Sequence, residues 1–599
     1  MGTPAPDPAV IGRLLPRPRG GGWLAPVHDL VIRGGHVVDG SGGPGRPADV
    51  AVDGERIVAV GRIDGRGRRE IDADGLVVTP GFVDIHTHYD GQATWDPEVS
   101  PSSWHGVTTV VMGNCGVGFA PAHPDRHDWL IQLMEGVEDI PGTALAEGIT
   151  WNWETFPEYL DELDRLPRVL DVSALVPHGA VRAYVMGERG GANAEATPDE
   201  IAAMAAVVAE AMAAGAVGFS TTRTIIHRAR DGELAAGTTA SPDELIGIGR
   251  SLAGGGRPAG LFELTSDMVD AEAELAWMTE LSRETGCRIT FAIGQDHMRP
   301  DHWRTVLDLT RRANAAGAHV VPQAGGRSTS VLLGLEASAH PFMLHAAYGP
   351  LADLPLRERV ARLRRPEVRA AILGETLDDA GAAAFIADAW GHTFPLGDPP
   401  DYEPPPDRSV AALAAQQGRP PAEVAYDLML ERDGRALLYM PLGGYADGDF
   451  RALAELLGQP EVVVGLGDGG AHCGLLCDAS MPTYMLSHWA RDRTRGERLP
   501  LELAVDLQTR RTATLCGFGD RGLVAPGYLA DLNVIDADRV ASDAPEMVYD
   551  LPAGGRRLIQ RARGYVATIK RGVVVRDHDD ATGERPGRLV RGAQRRPPT

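Results

Sequence analysis

Thr79-Pro80-Gly81-Phe82-Val83-Asp84-Ile85-His86-Thr87-His88-Tyr89-Asp90 decides the fold. Around the Pro80-Gly81 interruption, Val77 to Ile85 is rich in β-branched and aromatic residues, the composition of a buried strand. Side chains alternate faces along a strand, so His86 and His88 point the same way. Two imidazoles with one orientation at the end of a buried strand suit a divalent metal. Imidazole nitrogen favours Zn²⁺, whereas oxygen ligands alone would suit Mg²⁺ or Ca²⁺. Two polar residues leaving a core strand would also read His-x-His; the Pro-Gly turn and Asp84 favour the metal.

Outward from this stretch, β-like runs alternate with helical ones, the pattern of βα units. The runs are Gly81–His86, Thr108–Met112, Val169–Val176, Ala216–Ser220, Gly260–Leu264, Arg288–Ile293, His319–Gln323 and Glu461–Leu466. Eight such strands suit a closed parallel (β/α)8 TIM-like barrel, an α/β fold, spanning 79–519. Helical spacing is clear over Pro198–Ala213, His302–Ala315 and Leu356–Leu373. Residues 325–459 are too many for one βα connection and read as an inserted helical cap before the last barrel strand. Short β runs over 28–78 and again over 520–577 are each too few for a stable sandwich. Together they make a small β-sandwich domain formed from both chain ends. A Pro- and Gly-rich arm (1–27) and a tail (580–599) are expected to be flexible.

The chain has 599 residues, 43% hydrophobic and 23% charged, ordinary for a globular protein but too many for one core. A net charge of −24 argues against nucleic-acid binding through a basic field. Five scattered cysteines do not make a disulfide framework. No signal-type apolar segment and no run of 18 apolar residues is present, so no membrane span and a cytoplasmic location are expected. The sequence has no Gly-x-Ser-x-Gly elbow, no P-loop and no dinucleotide fingerprint in a matching βαβ context.

The stretch Pro80 to Asp90 resembles the first barrel strand of the amidohydrolase superfamily. Tyr89-Asp90-Gly91-Gln92 and Trp95-Asp96-Pro97 resemble its N-acyl-D-amino-acid deacylase (D-aminoacylase) branch, as do Asn114-Cys115-Gly116, Gly465 to His472 and Ala525 to Asp531. The resemblance therefore covers most of the chain, and it implies the same barrel and two-ended sandwich. It also implies a cysteine ligand at Cys115, in place of the carbamylated lysine of many relatives. The single lysine, Lys570, falls in the expected sandwich, outside the barrel.

Barrel enzymes place their chemistry after the strands, so those positions carry the site. His86 and His88 follow the first strand, Cys115 the second and Asp468 the eighth. Cys115 is either a thiolate ligand or a buried thiol. Asp468 can hold the metal, take a proton from the attacking water and return it to the departing nitrogen. His178, Arg223, His227 and His472 are expected at the substrate, the arginine as a fork for a carboxylate. The branch pattern is broken at strands five and six, where Leu261 to Asp267 and Thr290 to His297 have no histidine at the position the branch has one, His297 lying a few residues late. The lysine after strand six is also missing, and Glu263 and Asp267 offer oxygen instead. One metal on His86, His88 and Asp468, a metal pair with unusual ligands, and a degenerate site are all open.

The expectation is a Zn²⁺-dependent hydrolase, with one or two ions, acting on the amide of an N-acyl amino acid or a related small amide. Cleavage of a cyclic amide, hydantoin or lactam, is the alternative; so is a metal-poor binding relative. The partner is a small molecule, with homo-oligomerisation open.

Overall fold

The computed structural model describes residues 27–377, 385, 386 and 388–598. The expected arm, 1–27, lies outside these except for its last residue. We label the eight central strands β1 (Phe82–Thr87), β2 (Val107–Met112), β3 (Asp171–Pro177), β4 (Gly218–Arg223), β5 (Leu261–Ser266), β6 (Arg288–Ala292), β7 (Val320–Ala324) and β8 (Val463–Val464). Each overlaps its expected run. They form one parallel α/β sheet in sequential order. The sheet curls so that the chain around the C-terminal end of β1 reaches the loop after β8: the His88 N–H donates to the Gly469 carbonyl (2.8 Å) and the Asp468 N–H to that of His86 (3.0 Å). β2 is buried along its whole length, its threonines included.

The helices outside the sheet obey local rules. Pro198–Ala214 starts on a Thr197 cap that Glu200 completes reciprocally, and ends at left-handed Gly215. The helix expected over 356–373 is two, Leu356–Leu363 and Pro366–Gly374, because Pro366 fits the first turn of a helix and not its interior.

A second sheet joins the chain ends. Five strands between Val27 and Pro80 and four between Leu532 and Ala581 form nine strands in all. The seam is antiparallel, with Val78 opposite Val534. Lys570 lies under it, fully buried, its Nζ 2.7 Å from Asp531 and 3.0 Å from Asp171 of β3. Arg521 and Arg571 also reach Asp171. This network ties the terminal sheet to the start of β3.

Residues 325–459 carry their own apolar cluster, including Tyr348, Ile372 and Tyr426. Beside the helices they contain a three-stranded sheet (Thr329–Leu333, Phe394–Pro395, Leu438–Gly443) that was not anticipated. Buried Glu403 fastens the insertion to the segment after β8. It accepts from Arg493 Nε (3.1 Å) and Nη2 (3.0 Å), and lies 2.8 Å from His488 Nε2.

The tail corrects an expectation. Asp580–Ala581 is a strand, and the Val172 and Val590 backbones bond Arg588 and Val172 in turn. Leu589 and Val590 are buried against the sheet. Two apolar residues among arginines and glycines were enough to dock it.

Candidate metal centre

β1 delivers His86 and His88 side by side, buried, with both Nε2 atoms turned toward Asp468. Asp468 Oδ1 is 3.5 Å from His86 Nε2 and 3.7 Å from His88 Nε2. Cys115, from the turn after β2, puts Sγ 3.2 Å from His86 Nε2. One ligand atom each from His86, His88 and Cys115 lie within 4.8 Å of one another. Zinc bonds of about 2.0–2.3 Å around a tetrahedron set ligand atoms roughly 3.3–3.8 Å apart. The two Asp468 contacts fall in that range, and the Cys115–His86 contact of 3.2 Å lies just below it.

The backbone is bent to achieve it. Cys115 (φ 55°), Asp468 (φ 45°) and His472 (φ 50°) all occupy the left-handed region, which costs a non-glycine residue about 1–3 kcal/mol. At Gly467 any side chain is excluded, because a Cβ would sit 2.5 Å from Asp84 Oδ2.

Each imidazole is backed on its other nitrogen by a buried acid. Glu263 Oε1 of β5 is 3.7 Å from His86 Nδ1, and its Oε2 accepts the Cys115 N–H at 2.8 Å. Gln323 Oε1 of β7 is 3.3 Å from the same His86 nitrogen. Glu138 ends helix α1 (His127–Glu138), with Oε1 3.4 Å from His88 Nδ1 and Oε2 3.4 Å from His472 Nε2. Among the described residues, neither Glu138 oxygen, nor Glu263 Oε1, has a hydrogen-bond partner.

The electrostatics follow from burial and these acids. Burial pushes the Glu263 carboxyl up to about 8 and the Cys115 thiol well above its ordinary value. Burial lowers His86 to about 4. At His88 burial works the same way, but Glu138 and Asp468 outweigh it and raise the imidazole to about 9. Burial also opposes ionisation of Asp468, yet the surrounding histidines hold it below the usual carboxylate range. A pocket with orphaned carboxylate oxygens, a thiol and two aligned imidazoles has the donor set for a soft-to-borderline divalent cation. The residues fit zinc.

The other expected residues divide. His227 Nδ1 lies 2.9 Å from Thr222 Oγ1, and burial, with the charges of His472 and His88, lowers it to about 3. It and His472 belong to the centre's surroundings. His178 and Arg223 do not meet the expectation of a free substrate contact. His178 Nδ1 is 2.8 Å from Thr221 Oγ1 and Nε2 is 2.9 Å from Glu244, which Arg182 also binds. Arg223 is forked onto Glu274 and donates to the Ala240 carbonyl. Their polar atoms are already engaged by the fold.

Glu138 was not foreseen. Its signal was weak but present: Glu138-Asp139 places two acids at a helix C-terminus, where the dipole disfavours them.

A curled parallel sheet with this donor set at its C-terminal ends defines a metal-dependent hydrolase class. The chain belongs to the amidohydrolase family, whose model matches residues 69–576. It is 30% identical over 573 residues to a D-aminoacylase of Alcaligenes xylosoxydans xylosoxydans, covering 94% of this chain and 97% of that one. It is 29% identical to an N-acyl-D-aspartate deacylase of the same organism, covering 94% and 95%. Among solved structures, a D-aminoacylase with a binuclear metal centre superposes with a TM-score of 0.63 at 27% identity, covering 94% and 99%. An N-acyl-D-glutamate deacylase from Bordetella bronchiseptica, complexed with zinc and a phosphonate inhibitor, gives 0.62 at 25%, covering 94% and 100%.

Proposed function

We propose that the protein hydrolyses the amide bond of an N-acyl amino acid or a closely related small amide at a zinc centre held by His86, His88, Cys115 and Asp468. The observations that support this are three donor contacts of 3.2–3.7 Å, Cys115 with His86 and Asp468 with both imidazoles, and the grouping of the His86, His88 and Cys115 ligand atoms within 4.8 Å. Zinc bound there supplies Lewis-acid polarisation of the carbonyl and a more acidic water. Asp468 accepts the water's proton and returns it to the leaving nitrogen, one carboxylate serving as base and then acid. Glu138 and Glu263 hold the imidazoles and the Cys115 backbone in register. His227 and His472 line the approach. The named deacylases support the substrate class.

We also infer the division of the chain: a closed (β/α)8 barrel over 79–519 with 325–459 as its cap, and a β-sandwich from 28–78 with 520–577. None of the five cysteines is in a disulfide, which agrees with a cytoplasmic protein. Among the described residues no helix is long and apolar enough to cross a membrane.

The test is metal analysis with Asp468→Asn. Purified native protein should carry zinc and cleave N-acyl amino acids. The variant should lose activity by about 10²–10⁴-fold. Full activity in Asp468→Asn would remove the proposed acid and base.

A further inference from the structure

Eleven large apolar side chains stand well exposed among the described residues, and five of them share one place. Ile225 and Ile226 are 63% and 76% exposed, Val269 78%, Met298 88% and Leu442 46%. They come from the loops after β4, β5 and β6 and from the cap strand Leu438–Gly443. Asp267 laces these loops together. Its Oδ2 accepts the Ile225 N–H at 2.9 Å, and its carbonyl accepts Arg299 Nη2 at 3.1 Å. The cap strand joins through the Gly444 N–H, which donates to the Gln295 carbonyl at 2.7 Å. Exposed apolar side chains gathered on neighbouring, hydrogen-bonded loops mark a candidate binding surface.

We infer that this rim seats a long apolar acyl chain, so that the substrate is an N-acyl amide of a medium- or long-chain acid. The inference rests on the hydrolase reading above, and two features direct the chain there. Asp468 follows β8, and the leaving nitrogen has to lie within its reach. The acyl side of the carbonyl then projects to the opposite wall, and in a ring of eight strands the wall opposite β8 is β4. The rim is also close enough. Thr265 Oγ1 is 3.2 Å from Cys115 Sγ, and Val269 is four residues further on, at most about 14 Å of extended chain. An acyl chain leaving the centre along this wall emerges onto Ile226, Val269 and Met298.

The test is a chain-length series on the zinc-loaded enzyme, using N-acetyl, N-hexanoyl and N-decanoyl forms of one amino acid. KM should fall by about two- to fourfold per added methylene once the chain reaches the rim. The double variant Ile226→Asp, Met298→Asp should raise KM for the decanoyl substrate by about tenfold or more and leave the acetyl substrate within about twofold. Both positions are exposed, so the fold should tolerate the change. Calorimetry provides a second reading: decanoate should bind the native protein far more tightly than acetate, and the variant should lose the difference. A flat series, or equal effects of the variant on acetyl and decanoyl substrates, would overturn the proposal. So would a native oligomer that the variant dissociates with no change in the series, which would make the rim an interface between copies. If no N-acyl substrate is cleaved, the hydrolase reading fails, and decanoate binding still decides the rim.

Discussion

Between His88 and His472, Glu138 holds a carboxylate whose two oxygens have no other partner among the described residues. Its backbone carbonyl accepts the His472 N–H, so one residue sets both the β1 imidazole and the loop after β8. Second partners of this kind fix the ring orientation of a metal-bound histidine. Glu138→Gln should weaken zinc binding by about 10–100-fold, measured by competition with a chelator, while the melting curve changes little. Unchanged zinc affinity would leave Glu138 a filler. The contrast with His86 and His88 shows what a sequence yields at this scale. Those two announce themselves because their spacing matches the strand period. Cys115 and Asp468 were legible because each follows a strand whose apolar run is plain. Glu138 was hidden because its meaning depends on His472, far along the chain. For His178 and Arg223 a rim position says nothing about the bonds that Glu244 and Glu274 make to them, and only the structure shows those.

At the scale of elements, the cap depends on Glu403. Burial opposes its ionisation, but His488 and Arg493 outweigh burial and hold the carboxyl at about 2, from an ordinary 4.5. A depressed folded pKa contributes stability that is complete above pH 4.5 and drains away as the pH falls toward 2. The full contribution is roughly 3 kcal/mol. Melting temperature should therefore drop steeply over that interval in the native protein and more shallowly in Glu403→Gln. The variant should also be less stable at neutral pH, because Arg493 is left buried without its anion. Parallel acid profiles for the two proteins would refute this. The length of 325–459 marks it as more than a βα connection. Its three-stranded sheet was not readable, because Phe394–Pro395 is two residues long and has no period to detect. The docked tail escaped for a related reason: Leu589 and Val590 are too few to form a pattern, though both are buried.

At the scale of the molecule, the terminal sheet and the curled parallel sheet meet at the chain's one lysine. Lys570, Arg521 and Arg571 converge on Asp171, with Asp531 sharing the lysine. Their charges hold the Asp171 carboxyl below its usual range despite burial. Removing one member of a buried ionic network costs about 3–5 kcal/mol, so Lys570→Met should lower the denaturation midpoint sharply. It should also do so equally by probes in the sheet and in the barrel, if the junction joins them into one cooperative unit. Two separated transitions in the native protein would show that it does not. The two-ended sheet was visible in sequence as two incomplete sets of strands. The carboxylate they share, on β3, was not, since nothing in the run Asp171 to Pro177 marks its first residue as a junction.

The seam of that sheet has a consequence for biosynthesis. Val78 finds its neighbour only when Val534 has left the ribosome. At roughly 5–20 residues per second, the early strands wait tens of seconds with an unprotected edge. A nascent chain stalled before residue 532 should therefore be bound by chaperones and cut by protease within its first 80 residues, and release of the finished chain should end both.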